Sequence, residues 1–133
     1  MTTKVLAVDD SITIREMLKY TLLGAGFEVD VANDGEHGLE VLATFGPDVI
    51  ITDVNMPKLD GFGFIERVRA EGAWQSTPIL VLTTESAPEL KARARNAGAT
   101  GWIVKPFNEA KLISAIERVS VMGRGDIPGG PSS

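Results

Sequence analysis

Residues 49–57 of the chain read VIITDVNMP, and this stretch decides the fold. Its first four residues are apolar or β-branched and follow a Pro-Asp pair, which predicts a short strand buried on both faces of a parallel sheet. The strand ends on Asp53, and Pro57 and Gly61 then predict a turn. Because open α/β sheets bind ligands at the carboxyl ends of their strands, Asp53 is a candidate functional residue. The alternative is that Asp53 only caps the following turn.

Four other short apolar runs predict the remaining strands, at residues 4–8, 28–32, 79–82 and 102–104. Between them lie five segments with helical periodicity, which begin near Ser11, Gly35, Asp60, Ser86 and Asn108. Strands that alternate with helices predict an α/β fold. We therefore expect a doubly wound, five-stranded parallel sheet with helices on both faces.

The sequence predicts the buried face of the first helix, and the start and apolar face of the fourth. In the first, five residues at helical spacing predict one core-facing stripe: Ile14, Met17, Leu18, Thr21 and Leu22. In the fourth, Ser86 with Glu89 has the spacing of a capping box, so we expect the helix to start there. Its apolar face is thin (Leu90, Ala94 and Ala97), so this helix is expected to be the loosest of the set.

Length and composition exclude several classes of protein. The 133 residues include 44% hydrophobic residues and no cysteine, which predicts one packed domain without disulfides or thiolate sites. A net charge of −5 argues against a general nucleic-acid binder. We find no signal peptide and no apolar run near the ~20 residues that span a bilayer, and so expect a cytoplasmic protein. We expect the domain over residues 1–121 and a flexible Gly/Pro/Ser-rich tail over 122–133.

The predicted strands end in matching polar chemistry, at Asp9 and Asp10, Asp53, Thr83 and Lys105. The carboxyl ends of parallel strands share one edge of the sheet, so these side chains should converge there. Two carboxylates ~4 Å apart repel by about 4 kcal/mol at an effective dielectric near 20. Such a cluster needs shared protons or a divalent cation, and an all-oxygen donor set favours Mg²⁺.

A carboxylate beside a dication, a lysine and a hydroxyl group is suited to attack a phosphoryl group and become an acyl phosphate. Each residue also has a purely structural interpretation. The Asp pair could cap the first helix, Thr83 could be a strand-end hydroxyl, and Lys105 could be a solvated charge. That all of these structural roles apply at once, with no shared function, is the less economical explanation.

The spaced set formed by Val8-Asp9-Asp10-Ser11, Asp53 with Met56-Pro57 and Gly61, Thr83, and Lys105-Pro106-Phe107 resembles the response-regulator receiver domain of two-component signalling. The chain is most similar to single-domain, CheY-like chemotaxis regulators. The resemblance implies a flavodoxin-like sheet of order 2-1-3-4-5. A phosphorelay intermediate, a phosphate sink and a cell-cycle regulator remain alternatives.

The resemblance also implies residue roles. Asp53 would accept the phosphoryl group from a sensor histidine kinase, Lys105 would pair with its oxygens, and Thr83 would donate its hydroxyl to one of them. Mg²⁺ would be held by Asp9, Asp10, Asp53 and the backbone carbonyl of Asn55. The Lys105-Pro106 peptide bond would be cis.

Three further residues would tune or transmit the signal. Asn55 and Glu85 lie two residues past Asp53 and Thr83, at positions that set how fast the acyl phosphate hydrolyses in the family. Trp102 stands where the family has a switch Tyr or Phe. Its indole is larger than a phenol and its N–H needs a partner when buried, so we do not expect full inward burial. A simple core or rim role for Trp102 is the alternative.

The output would be read by a flagellar motor switch or kinase component, through the face of the fourth helix, fifth strand and fifth helix. The fourth helix carries Lys91, Arg93 and Arg95, which could also be merely solvated. We expect a monomer that binds neither nucleic acid nor membrane, and we assign His37 no ligand role.

Two other functions compete with a signalling module. A phosphohydrolase with an aspartyl intermediate would need a second Asp where Asn55 stands. A flavodoxin-type FMN carrier would need a phosphate-binding loop after the first strand, where Asp9 and Asp10 would repel the phosphate. We therefore expect a phosphoacceptor rather than an enzyme.

Overall fold

A computed structural model describes residues 2–123 as alternating strands and helices. The strands are β1 (Lys4–Val8), β2 (Glu28–Ala32), β3 (Val49–Thr52), β4 (Ile79–Thr83) and β5 (Gly101–Val104). The helices are α1 (Ile12–Gly24), α2 (Gly35–Phe45), α3 (Gly61–Ala70), α4 (Pro88–Ala97) and α5 (Glu109–Gly123), and a short 3₁₀ turn spans Gly72–Trp74.

The five strands form one parallel sheet of order β2-β1-β3-β4-β5, which confirms the predicted fold class and strand order. β3 is the central strand, and all four of its residues are buried. Thr52, at the end of β3, pairs with Val8, at the end of β1. The next residue of each strand is an aspartate. The register therefore places Asp9 and Asp53 side by side.

The sheet separates two layers of core. Alternate residues of β1 point to opposite faces, so Leu6 and Val8 join one cluster while Val5 and Ala7 join the other. The first cluster is completed by α2, α3 and α4, and the second by α1 and α5, with Leu18, Leu22, Leu112 and Ile116 fully buried. Burial of each such side chain stabilises the fold by roughly 1.5–3 kcal/mol. The packing on both faces of the sheet therefore holds in place the edge that carries the aspartates.

Two of the helix predictions are wrong in detail. Met17 is 48% exposed, because α1 buries a narrower stripe centred on Leu18, Thr21 and Leu22. Ser86 does not cap α4, whose N-cap is Ala87 and makes no side-chain hydrogen bond. The reason is that Pro88 occupies the first helical position, where its fixed φ and missing N–H are favourable, and this moves the helix start past the serine.

The last helix, α5, continues to Gly123, two residues into the segment for which we predict a tail. The rest of that segment, residues 124–133, lies outside the described residues, so its flexibility stays a prediction. None of the helices within residues 2–123 has the length and apolar character needed to cross a membrane.

Gly61 brings the first turn of α3 against the backbone that follows β3. A Cβ atom at this position would lie 2.1 Å from the Asp53 carbonyl oxygen and 2.6 Å from the Val54 Cα. The Gly61 N–H donates to the Val54 carbonyl at 2.9 Å, which fixes this close approach. A side chain at position 61 would therefore displace the backbone that carries Asp53.

We expect Gly61→Ala to lower the free energy of unfolding by about 1–3 kcal/mol, because the added methyl group overlaps backbone atoms that cannot move aside. Urea denaturation followed by circular dichroism measures the change. Gly24→Ala is the matched control: a Cβ there has no neighbour within 4 Å, so stability should rise by up to ~1 kcal/mol. Equal stabilities of the two variants would contradict the steric argument.

Candidate functional site

The polar residues at the carboxyl edge are held by extensions of the sheet's own hydrogen bonding. The Asp9 N–H donates to the Ala32 carbonyl at 3.0 Å, and the Asp53 N–H donates to the Val8 carbonyl at 3.1 Å. The Lys105 N–H donates to the Thr83 carbonyl at 2.8 Å. These hydrogen bonds fix the backbone of the three residues, so their side chains can converge at this edge, as expected from the sequence.

Lys105 joins the two buried carboxylates. Its Nζ donates to Asp9 Oδ2 at 2.8 Å and to Asp53 Oδ2 at 2.8 Å. Asp9 is 2% exposed and Asp53 is 8% exposed, so both ion pairs lie largely out of water. The structure thus brings together Asp9, Asp53 and Lys105, three of the residues singled out from the sequence.

The second oxygen of each buried carboxylate is held by backbone N–H groups. Asp9 Oδ1 accepts from Ser11 N–H at 2.9 Å. Asp53 Oδ1 accepts from Val54 N–H at 2.6 Å and from Asn55 N–H at 3.4 Å. One oxygen of each carboxylate is therefore anchored to the backbone, and the other faces the lysine.

Asp10 completes a group of three acidic side chains. Carboxylate oxygens of Asp9, Asp10 and Asp53 all lie within 4.8 Å of one another, and Asp10 is the exposed member. These are all hard oxygen donors, with one side open to solvent through Asp10. The donor set fits a hard divalent cation that keeps some of its water ligands.

Burial raises the pKa of the Asp9 carboxyl above its ordinary value of 3.8, and the nearby Asp53 charge acts in the same direction. The hydrogen bonds from Lys105 and Ser11 only partly offset this. Burial would lower the pKa of Lys105, but its hydrogen bonds to Asp53 and Asp9 outweigh that effect and raise it. The lysine is therefore charged at neutral pH, while the charged form of Asp9 costs folding free energy.

Thr83 and the Lys105-Pro106 bond occupy the positions expected of them at this edge. Thr83 is fully buried, and its Oγ1 accepts from the Glu85 N–H at 3.4 Å. The Lys105-Pro106 peptide bond is cis.

A chain of hydrogen bonds links the site to Trp102. Asn55 Nδ2 donates to Glu85 Oε2 at 3.0 Å, and Trp102 Nε1 donates to the Glu85 backbone carbonyl at 3.0 Å. Trp102 is half-buried, so its indole N–H has the partner that its burial requires. All three residues are candidates from the sequence, but nothing in the sequence indicates that Glu85 connects the other two.

The basic residues of α4 do not form one surface. The Arg93 guanidinium lies over the Phe62 ring, 4.1 Å from its centroid, and so packs against α3. Lys91 and Arg95 instead line a small cleft of about 80 Å³ beside Trp102. Of the three basic residues of α4, only Lys91 and Arg95 therefore lie together beside Trp102.

Arg15 is a site neighbour that the sequence argument missed. Its Nη1 donates to the Asp9 backbone carbonyl at 2.7 Å, which ties the first turn of α1 to the end of β1. The available signal was its position one turn after Ser11. His37, which we did not assign as a ligand, accepts at Nδ1 from the Asn33 N–H, with a nitrogen–nitrogen distance of 3.1 Å, just before α2 begins.

Comparison with known proteins gives consistent matches. The response regulator receiver domain matches residues 5–117. A chemotaxis protein CheY homolog of Campylobacter jejuni is 40% identical over 127 residues, covering 92% of this chain and 96% of that protein. A probable chemotaxis protein CheY of Rhizobium etli is 38% identical over 117 residues, covering 87% and 91%.

Among solved structures, chemotaxis protein CheY4 of Vibrio cholerae is 50% identical and superimposes with a TM-score of 0.86, covering 90% of this chain and 99% of that one. The family match runs from the second residue of β1 into α5, and it includes Asp9, Asp53, Thr83 and Lys105. The chain therefore belongs to the response regulator receiver domain family.

Proposed function

We propose that this chain is a phosphorylation-dependent switch of two-component signalling that accepts a phosphoryl group on Asp53. One observation carries the proposal: the Asp53 carboxylate lies beside a second buried carboxylate, and a single lysine pairs with both. Membership of the receiver family implies a histidine kinase as phosphodonor and a downstream effector as the protein that reads the phosphorylated state.

The reaction follows from this geometry. Asp53 Oδ2 attacks the phosphorus of a phosphohistidine; a P–O bond forms, the P–N bond breaks, and the imidazole leaves with the electron pair. Asp53 Oδ1 stays oriented by the Val54 N–H. The Lys105 ammonium, 2.8 Å from the attacking oxygen before reaction, then neutralises charge on the phosphoryl oxygens.

The acidic cluster is proposed as the site of Mg²⁺. Asp9, Asp10, Asp53 and the backbone carbonyl of Asn55 would hold the ion. It would neutralise the negative charge that gathers around the transferred phosphoryl group. Thr83 is the hydroxyl donor at the neighbouring strand end, and its movement toward the phosphoryl group would vacate space beside Trp102.

We propose a phosphoacceptor and not a phosphohydrolase. A hydrolase of this kind needs a general acid two residues after the nucleophile, and Asn55 has an amide there. That amide is engaged by the Glu85 carboxylate. Asn55 and Glu85 would instead set the lifetime of the acyl phosphate, and phosphomonoester turnover should be negligible.

Chemotaxis is the proposed pathway, because the relatives from Campylobacter jejuni, Rhizobium etli and Vibrio cholerae are named chemotaxis proteins. The proposed partners are a chemotaxis histidine kinase and a flagellar motor switch component, with a monomeric protein acting in the cytoplasm. The effector would bind at α4, β5 and α5, where Lys91 and Arg95 flank the cleft beside Trp102.

Asp53→Asn should abolish phosphorylation, because the amide nitrogen or oxygen cannot replace the carboxylate as nucleophile. We expect radiolabelled acetyl phosphate with Mg²⁺ to label the wild type and to leave this variant at background. Asp48→Asn, at the other end of β3, is the control and should label as the wild type does. Unchanged labelling of Asp53→Asn would refute the assignment.

Asp9→Asn should raise the free energy of unfolding at neutral pH without Mg²⁺. The raised pKa of Asp9 means that wild-type stability is lost as pH rises through the window above 3.8, whereas Asn stays neutral throughout. The gain should shrink as pH falls toward that ordinary value. Added Mg²⁺ should stabilise the wild type more than the variant.

Urea denaturation at several pH values, with and without MgCl₂, measures both effects. Glu16→Gln, an exposed site on α1, is the control and should change stability by no more than ~0.5 kcal/mol. A destabilised Asp9→Asn variant at neutral pH without Mg²⁺ would show that the Lys105 ion pair outweighs the cost of burying the charge.

A further inference from the structure

The two ends of α4 are attached to the domain in different ways. At the N-terminal end, the N-cap Ala87 offers no side-chain hydrogen bond. Ala94 is the buried residue of this helix, and α4 packs mainly against α3. Little apolar area therefore holds α4 down, and specific polar contacts decide which end can move.

Arg69, from the last turn of α3, holds the C-terminal end of α4. Its Nε and Nη2 donate to the Gly98 carbonyl at 3.0 and 2.9 Å, and its Nη1 donates to the Trp74 carbonyl at 2.7 Å. One guanidinium thus ties the residue that ends α4 to the turn that follows α3. A cation at this end also complements the helix dipole of α4.

The backbone conformation of Gly98 and its lack of a side chain allow this contact. Its φ of +119° suits glycine, and a Cβ there would lie 2.7 Å from Arg69 Cγ. Beyond it, the Ala99 N–H donates to the Ala94 carbonyl at 2.9 Å, and the Thr100 N–H donates to the Ile79 carbonyl at 2.7 Å. The end of α4 is therefore joined to α3 by Arg69 and to β4 by Thr100.

The N-terminal end is instead linked to the phosphorylation site. The loop before α4 contains Glu85, which accepts from both Asn55 and Trp102. Midway along α4, Arg93 stacks on Phe62 by a ring-face contact that tolerates sliding more readily than a pair of hydrogen bonds to one carbonyl. A rearrangement that starts at Asp53 thus reaches the loosely attached end first.

We propose that Arg69 is a positioning residue that fixes the C-terminal end of α4, so that phosphorylation moves this helix as a lever about Gly98. The displacement is then largest beside Glu85 and Trp102. This inference rests on the proposed function, since it names the pivot for a change that begins with phosphorylation of Asp53. The Arg69 side chain is committed to two backbone carbonyls, which a shorter or single-point donor cannot both reach.

Amide hydrogen exchange on the whole chain, with and without Mg²⁺ and beryllofluoride as the phosphoryl mimic, tests the pivot. In the wild type, beryllofluoride should change exchange at the Leu90 and Lys91 amides, which bond to the Ala87 carbonyl, and leave the Gly98 and Ala99 amides unchanged. In Arg69→Lys, the Gly98 and Ala99 amides should exchange about tenfold faster and become sensitive to beryllofluoride.

Arg67→Lys is the matched control, because Arg67 is an exposed arginine on the same turn of α3. It should reproduce the wild-type pattern. Labelling of Asp53 by acetyl phosphate should stay within about twofold of wild type in both variants, since neither residue touches the site. Arg69→Met provides a second variant, in which the charge is also removed.

The outcomes separate this inference from the proposed function. If beryllofluoride leaves the exchange of the α4 amides unchanged in the wild type, the phosphorylation-dependent switch itself is overturned. A wild-type response confined to the N-terminal end, with Arg69→Lys identical to wild type, would overturn the role of Arg69 alone. Faster exchange spread evenly over β1, β3 and α4 in Arg69→Lys would also overturn it, because that pattern marks general destabilisation.

Discussion

The contact on which the rest of the structure depends is the Lys105 ammonium between two buried carboxylates, 2.8 Å from Asp9 and 2.8 Å from Asp53. Burying two negative charges side by side is unfavourable unless a cation lies between them. The lysine supplies that cation. The same charge serves the phosphoryl group once it is attached, so the charge balance of the site before and after phosphorylation depends on one side chain.

The fold makes this contact possible, because β1 and β3 are neighbours in the sheet order and end in register. Core clusters on both faces hold the strands, and Gly61 lets α3 approach the backbone of Asp53. Away from this edge the domain is less uniform. Glu85 connects the site to Trp102, while Arg69 holds the far end of α4, so a local change at Asp53 has a route to one end of that helix.

Much of the fold and site could be predicted from sequence, because both depend on strong local signals. Buried strands are marked by apolar runs, and parallel order brings their terminal residues Asp9, Asp53 and Lys105 together whatever their sequence separation. The errors at Met17 and Ser86 concern the width of a buried stripe and a helix start, which packing and Pro88 decide. Contacts between residues far apart in the sequence, such as that of the Arg69 side chain with the Gly98 backbone carbonyl, leave no periodic trace in the sequence.

The most direct test of the central claim is the Mg²⁺ affinity of the wild type against Lys105→Met, measured by isothermal titration calorimetry. If the lysine and the dication neutralise the same carboxylates, removing the ammonium should leave the acidic cluster uncompensated. Mg²⁺ should then bind more tightly to the variant, with tightening of about tenfold or more expected from the loss of a nearby positive charge. Equal affinity in the two proteins, or no binding to either, would contradict the account.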